Sequence, residues 1–214
     1  MLVNIGQSLH IEGTYYYMAP PRKHDTDVIL DAARTLVLTD GPRAASVAAI
    51  AEASGAPVGT LYHRFGNRNG VLTAAWLRAL ERFQARTLAA ADDPDPVAAG
   101  VAMAAAAVGF GRELPDDARL LLNLRPRDLL DGGPDDEFRA RLDLMNAPLI
   151  AHLRRIAHAL FGSADERAID AVSRAVVDLP YAALRRHAHA PTLPAWLDTD
   201  LPEAARTLLE SYRR

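Results

Sequence analysis

The chain has 214 residues, of which 50% are apolar, 24% charged and 6% aromatic, with no cysteine and a formal net charge of −3. Enough apolar residues are present to build a real core, so wholesale disorder is excluded, and the length suits one larger domain or two small ones. The lack of cysteine rules out disulfides, thiolate chemistry, iron–sulfur clusters and cysteine-type zinc sites, and leaves any metal to histidine and carboxylate.

The longest stretch without charge, residues 96–111, is mostly Ala and Gly, too short and too weakly apolar to span a bilayer. The leading residues MLVNIGQSLHIEGTYYY have no basic start and no apolar run, so they do not read as a secretory signal, and the expected location is the cytoplasm. They also lack Lys, Arg and any helical period, whereas Met18 opens MAPPRKHDTDVIL directly before a helical pattern. Residues 1–24 are therefore expected to be a disordered or miscalled extension, with Met18 as the natural start.

From Asp25 onward the pattern predicts an all-α protein, rich in Ala, Leu, Arg and Glu and punctuated by Pro and Gly. The first helix is predicted over Asp25–Thr39, with Val28, Ile29, Ala32, Ala33, Leu36 and Val37 as its apolar stripe and Asp40-Gly41-Pro42 as its stop. A short second helix follows over Val47–Ala53, with Ser46 as N-cap and Gly55 as terminator. Pro57 opens a third that runs to Phe65, and Asn67 caps a fourth that runs to about Ala91. ADDPDP at residues 91–96 is the clearest break. Beyond it, helices are predicted at Val97–Glu113, Asp116–Leu124, Asp135–Phe161, Ala164–His189 and Pro202–Tyr212, with Pro148 and Pro180 expected to kink or split two of them.

Between Met18 and Leu80 seven basic residues face five acidic ones, a mild bias that points the N-terminal end toward an anion. The stretch SVAAIAEASGAPVGTLYHRFGNRNGVL, Ser46–Leu72, reads as two short helices joined by a tight turn at Gly55 and followed by a helix with a broad apolar face. That is the layout of a helix-turn-helix, whose second helix lies in the major groove of DNA. Val47, Ile50 and Ala51 are expected to pack on Leu61 and Phe65 and to turn the remaining side chains of the second helix outward or to its flank.

Over about Asp25–Leu80 the chain resembles the DNA-binding domain of the TetR/AcrR family of bacterial transcriptional regulators, on the strength of GTLYHRF with GNRNGVL after it and SVAAIAEASGAP before it. The resemblance implies a helix-turn-helix DNA-binding domain at 25–80, a helical ligand-binding and dimerisation domain at 81–214, and a homodimer on a palindromic operator. It also implies roles for individual residues. Ser46 would meet a phosphate at a helix start, and Val58, Gly59 and Thr60 would lie nearest the base edges. Tyr62 and His63 would reach the backbone, with His63 also within reach of a base, and Arg68 would clamp a phosphate. Arg22 and Lys23 would add a flexible arm. Pro57 departs from a common Ser, and Val58 from a frequent polar or basic residue, so readout there would be apolar contact with a thymine methyl.

The C-terminal half offers weaker signals. Val97–Phe110 has little side-chain bulk, which permits close helix approach and equally leaves room for a ligand. Met103, Phe110, Leu121, Leu124, Met145 and Tyr181 are the candidate lining residues. Leu179, Tyr181, Leu184, Leu208 and Leu209 are candidates for an apolar dimer contact, because the family builds its interface from the last two long helical segments. Asp116-Asp117 reads as an acidic helix start. His187 and His189 would project roughly 200° apart on a helix, and His152 and His158 are not at ligand spacing, so all four are expected at the surface and no metal or cofactor is expected. There is no phosphate loop, nucleophile elbow or paired-carboxylate signature, hence no enzyme. The expected function is a DNA-binding regulator, a repressor released by a small-molecule effector. The alternative is a helical module for small molecules or proteins that no longer binds DNA, which the acidic overall charge and Val58 favour.

Overall fold

Local capping chemistry sets most of the element boundaries. The computed structural model describes residues 25–212, so the expectations for Met18, Arg22 and Lys23 lie outside the described residues. Helix α1 (Thr26–Asp40) starts where the Asp25 carboxylate accepts the Asp27 N–H at 3.0 Å, and it ends at Gly41, whose φ of +84° few side chains tolerate. A 3₁₀ turn (Pro42–Ala44) leads to α2 (Val47–Ser54), α3 (Val58–Phe65) and α4 (Arg68–Ala90). Asn67 caps α4 by accepting the Gly70 N–H at 2.9 Å. At 23 residues, α4 is about 35 Å long.

The core of this end is made by Ile29, Ile50, Leu61, Val71 and Leu72, all at most 1% exposed. Partly buried Val47 and Phe65 pack against it. Apolar contacts then continue past the short helices into α6 (Pro115–Asn123), α7 (Pro126–Leu129) and the start of α8 (Asp136–Phe161), through Leu120, Leu129, Leu130 and Phe138. Residue 80 lies inside α4, so one continuous helix serves both halves of the chain.

Helix α5 (Pro96–Glu113) starts at Asp95, which accepts the Ala98 N–H at 3.0 Å. Its small residues let α11 (Leu197–Tyr212) approach closely. A Cβ on Gly100 would come within 2.5 Å of the Leu209 Cδ1 and 3.1 Å of the Val176 Cγ1. Leu209 is consequently 0% exposed and Leu184 only 5%. Both therefore fill the chain's own core, a correction to their expected place at a dimer contact, whereas Tyr181 and Leu208 are exposed.

The two prolines expected to interrupt helices differ in effect. Helix α8 runs on through Pro148, which is exposed, so no split occurs there. The segment expected over residues 164–189, with a kink or split at Pro180, is α9 (Glu166–Ser173), a wide π turn (Arg174–Asp178) and α10 (Leu179–His187), interrupted just before that proline. Pro180 falls in the first turn of α10, just after the π turn and with helical backbone on both sides, so the irregularity comes where its ring and missing N–H would break a regular α-helix. Pro126, expected as a separator, likewise opens α7. Helix α11 starts at Leu197, earlier than its expected start at Pro202. The reason is a distant one: the Arg112 guanidinium donates to the carbonyls of Leu193 (2.9 Å) and Pro194 (2.8 Å) and to Asp198 (2.7 Å), which fixes the chain just before and inside that first turn. Among the described residues there is no strand, and no single helix is long and apolar enough to cross a membrane.

Candidate nucleic-acid interface and the cavity behind it

The turn between α2 and α3 is built from short-range polar contacts. The Ser46 Oγ accepts the Ala49 N–H at 3.1 Å and so caps α2. Gly55 takes the left-handed conformation (φ +68°) that ends it. Ser54 closes the corner by donating to the Ala51 carbonyl at 3.4 Å and accepting the Ala56 N–H at 3.3 Å.

Helix α3 is anchored by Leu61, at 1% exposure. Its spacing then places Val58 and Tyr62, 43% and 53% exposed, on the outer side with exposed Gly59 and His63. Thr60 is half-buried at the edge of this face. Arg64 goes to the flank, where it donates to the Thr26 hydroxyl at 3.3 Å and braces α3 on the start of α1. Pro57 puts no side-chain cap on α3, and Gly59 has open space around its would-be Cβ. The α3 N-terminus thus offers an uncapped positive end beside a bare stretch of backbone, features suited to meeting phosphate and base edges.

Arg68 is placed differently from its neighbours. Its side chain is only 18% exposed and is turned back across the loop that precedes α2. It donates to the Pro42 carbonyl, to the Ala45 carbonyl at 3.1 Å, and to the Asp131 carboxylate at 2.9 Å. Beside it the Asn69 amide donates to the Asp131 carbonyl at 2.8 Å and its oxygen accepts the Asp131 N–H at 3.0 Å. The loop between α7 and α8 is thereby fastened to the N-terminus of α4. Nothing in the local sequence pairs residues 68 and 69 with residue 131.

A second polar junction was equally hidden in sequence. Asp117 stands in the first turn of α6, as an acidic helix start would, yet it is 1% exposed. Arg34 of α1 and Arg82 of α4 both donate to its carboxylate, Arg82 at 3.0 Å. Arg34 also meets Asp31 at 3.2 Å, and Arg82 meets Asp27 at 3.5 Å. Arg78 completes the cluster, donating to Asp27 at 2.6 Å and to Asp31 at 2.5 Å. The hydrogen bond from Arg78 holds the Asp27 carboxyl below its usual range, against the opposing effect of partial burial.

Behind this junction lies a cavity of about 220 Å³, walled by α4, α5, α6, α8 and the segment from the π turn into α10. Met103, Phe110, Leu121 and Tyr181 line it. Leu124 and Met145, grouped with them on sequence, are not in its lining and pack against the N-terminal core; at Leu124 the chain leaves α6 in an extended conformation. Lining residues with no sequence signal for the role include Trp76 and Thr87 of α4. His187, expected at the open surface, is half-buried and packs edge-on against Trp196 at 5.4 Å. Among the described residues no group of three or more His, Asp or Glu side chains is placed to hold a metal ion.

A family model described as bacterial regulatory proteins, tetR family, matches residues 29–75. Over 66 residues the chain is 39% identical to the HTH-type transcriptional repressor ComR of Escherichia coli (strain K12), a match that spans 31% of each protein. Among solved structures, the fatty acid degradation regulator FadR from Bacillus halodurans aligns with a TM-score of 0.67 at 16% identity, covering 86% of this chain and 98% of that one. The TetR family transcriptional regulator PfmR from Thermus thermophilus gives 0.63 at 23% identity, covering 90% and 97%. FadR from Bacillus subtilis, solved in complex with stearoyl-CoA, gives 0.61 at 15% identity, covering 88% and 97%. At these identities the whole-chain likeness concerns the fold, while the local sequence match concerns the first four helices.

Proposed function

Because the chain belongs to the TetR family of bacterial regulatory proteins, we propose that it is a homodimeric repressor that binds a palindromic operator and is released by a small molecule held in the cavity. The observation that carries this reading is the exposed face of α3, where Val58, Gly59, Tyr62 and His63 stand clear of the surface on a helix seated by buried Leu61. Val58, Gly59 and Thr60 serve base readout, and Ser46, Tyr62 and His63 serve phosphate contact. Arg68 reaches a phosphate by exchanging the carboxylate of Asp131 for it.

One α3 makes too few contacts for selectivity, and two of them about 34 Å apart fit successive major grooves on one side of the duplex. Release follows if effector binding favours a conformer in which that spacing is lost, so that effector and operator compete through two global states. The cavity supports this coupling through its walls, since α4 and α6 also pack within the core that carries α3.

The test is a mobility shift with the DNA upstream of the protein's own gene, in low salt and without effector. A shifted, dimer-sized complex that survives excess random duplex is expected, with Thr60 substitutions altering sequence preference and Tyr62→Phe weakening all sites alike. A dimeric preparation that binds no genomic fragment more tightly than random duplex would refute the proposal.

A further inference from the structure

Chemistry at the cavity wall specifies its occupant more narrowly than the regulatory reading requires. Among the described residues no charged side chain lines the cavity. Two of the three polar side chains in its lining already donate within the protein: the Thr87 hydroxyl to the Phe83 carbonyl at 3.0 Å, and the Trp76 indole N–H to the Leu124 carbonyl at 3.2 Å. A buried charge in such surroundings would lose its hydration with no partner in return.

The aromatic rings do not rescue a cation either. Arg86 already lies over the Phe110 ring at 5.9 Å from its centroid, and Arg185 over the Tyr181 ring at 5.8 Å. Both would repel an ammonium group placed between them. An anion gains little from either guanidinium: Arg86 is paired with Glu113 at 2.9 Å, and Arg185 is exposed and donates to the Tyr181 hydroxyl at 3.0 Å, so water screens it. Size sets a further limit. An apolar cavity of roughly 150 Å³ holds benzene, and this one measures about 220 Å³, room for roughly nine non-hydrogen atoms by that scale.

We propose that the cavity takes a small uncharged apolar molecule of that size, an aromatic or short aliphatic compound, in preference to an organic anion or cation of the same skeleton. The inference rests on the proposed effector role for its biological meaning, but its test reads binding directly.

Trp76 lies in the wall, and Trp196 is the other tryptophan of the chain. In a Trp196→Phe protein, indole fluorescence therefore reports the cavity. Octan-1-ol, octanoate and octylammonium, titrated at pH 7, present one chain length in three charge states. Octanol is expected to bind at least tenfold more tightly than either ion. Ala107→Leu in the wall and Val177→Phe at the mouth are expected to weaken octanol binding, and Val177 is exposed enough that its variant keeps the fold. Weakening by either variant supports the site. Octanoate or octylammonium binding as well as octanol, no binding of octanol, or binding unchanged in both variants would overturn the proposal. A mobility shift run alongside separates the two readings. Octanol that binds without releasing operator DNA sinks the effector role and leaves the cavity assignment standing, whereas release by an ion with no response to octanol does the reverse.

Discussion

Asp117→Asn isolates the charge at the junction of α1, α4 and α6. The carboxylate is 1% exposed and serves two guanidiniums, with side-chain exposures of 14% for Arg34 and 31% for Arg82. Removing one member of a buried ion pair typically costs about 3–5 kcal/mol, because the partner charge is left without compensation. Here the loss is cushioned. Arg34 retains Asp31 at 3.2 Å, Arg82 retains Asp27 at 3.5 Å, and Arg82 also reaches water. The asparagine oxygen keeps one acceptor as well, so the expected cost is about 2–3 kcal/mol. With a urea slope of roughly 2 kcal/mol/M, the unfolding midpoint should fall by about 1–1.5 M. Asp116→Asn, one residue away and 47% exposed in its pair with Arg119, should cost less than about 0.5 kcal/mol. Replacing the pair together, Arg34→Met with Asp117→Leu, should regain much of the loss. Equal midpoints for Asp117→Asn and Asp116→Asn would refute the assignment of the buried carboxylate as the structural tie.

Gly70→Ala should lower operator affinity at least tenfold and reduce stability by about 2 kcal/mol, because its Cβ would sit 1.8 Å from the Phe65 carbonyl oxygen and push the end of α3 aside. Gly59→Ala, in open space on the same helix, should leave the urea midpoint equal or higher, as helix propensity favours Ala over Gly by about 1 kcal/mol. Asp131→Ala should change stability by less than about 1 kcal/mol, since that carboxylate is 78% exposed. It should also tighten operator binding and steepen its salt dependence by freeing Arg68 for phosphate, an effect absent in Asp131→Ala with Arg68→Ala. For Asp27 the folded pKa is lowered, chiefly by the hydrogen bond from Arg78. Its contribution is therefore present above an unfolded pKa of about 3.9 and lost as pH falls through the lower folded value. Urea midpoints of the wild type and Asp27→Asn should differ at pH 7 and converge below about pH 4, by less than about 1 kcal/mol given 59% exposure.

Features written within one turn of chain were legible in the sequence. Ser46 and Asn67 cap the helices assigned to them, and Gly55 ends α2 at positive φ. The sequence left the side chains of α3 unsorted between outer face and flank, and the burial of Leu61 with helical spacing sorts them. Features set by distant partners were not legible. Nothing near Arg68 announces Asp131, and nothing near Asp117 announces Arg34. The early start of α11 depends on Arg112, far back in the chain. Nothing in the sequence shows that at Gly70 the Phe65 carbonyl leaves no room for a side chain. The cavity is less legible still, since the walls of a void are chosen by helix packing and any apolar residue at helical period is a candidate. That is why Leu121 lines it and Leu124, one turn on, does not.

Helix α4 begins at Arg68 against the end of α3 and passes Trp76, Phe83 and Thr87 in the cavity wall before it ends at Ala90. From Phe83 back to Arg68 is about 22 Å along the axis. A stiff lever of that length converts a tilt of about 5°, small enough to follow from a few extra atoms between its far side and α5, into a displacement of about 2 Å at the near end. Hydrogen bonds to base edges tolerate only a few tenths of an ångström around roughly 2.9 Å, so a modest swelling of the interior is amplified into a misfit at the protein's outer edge.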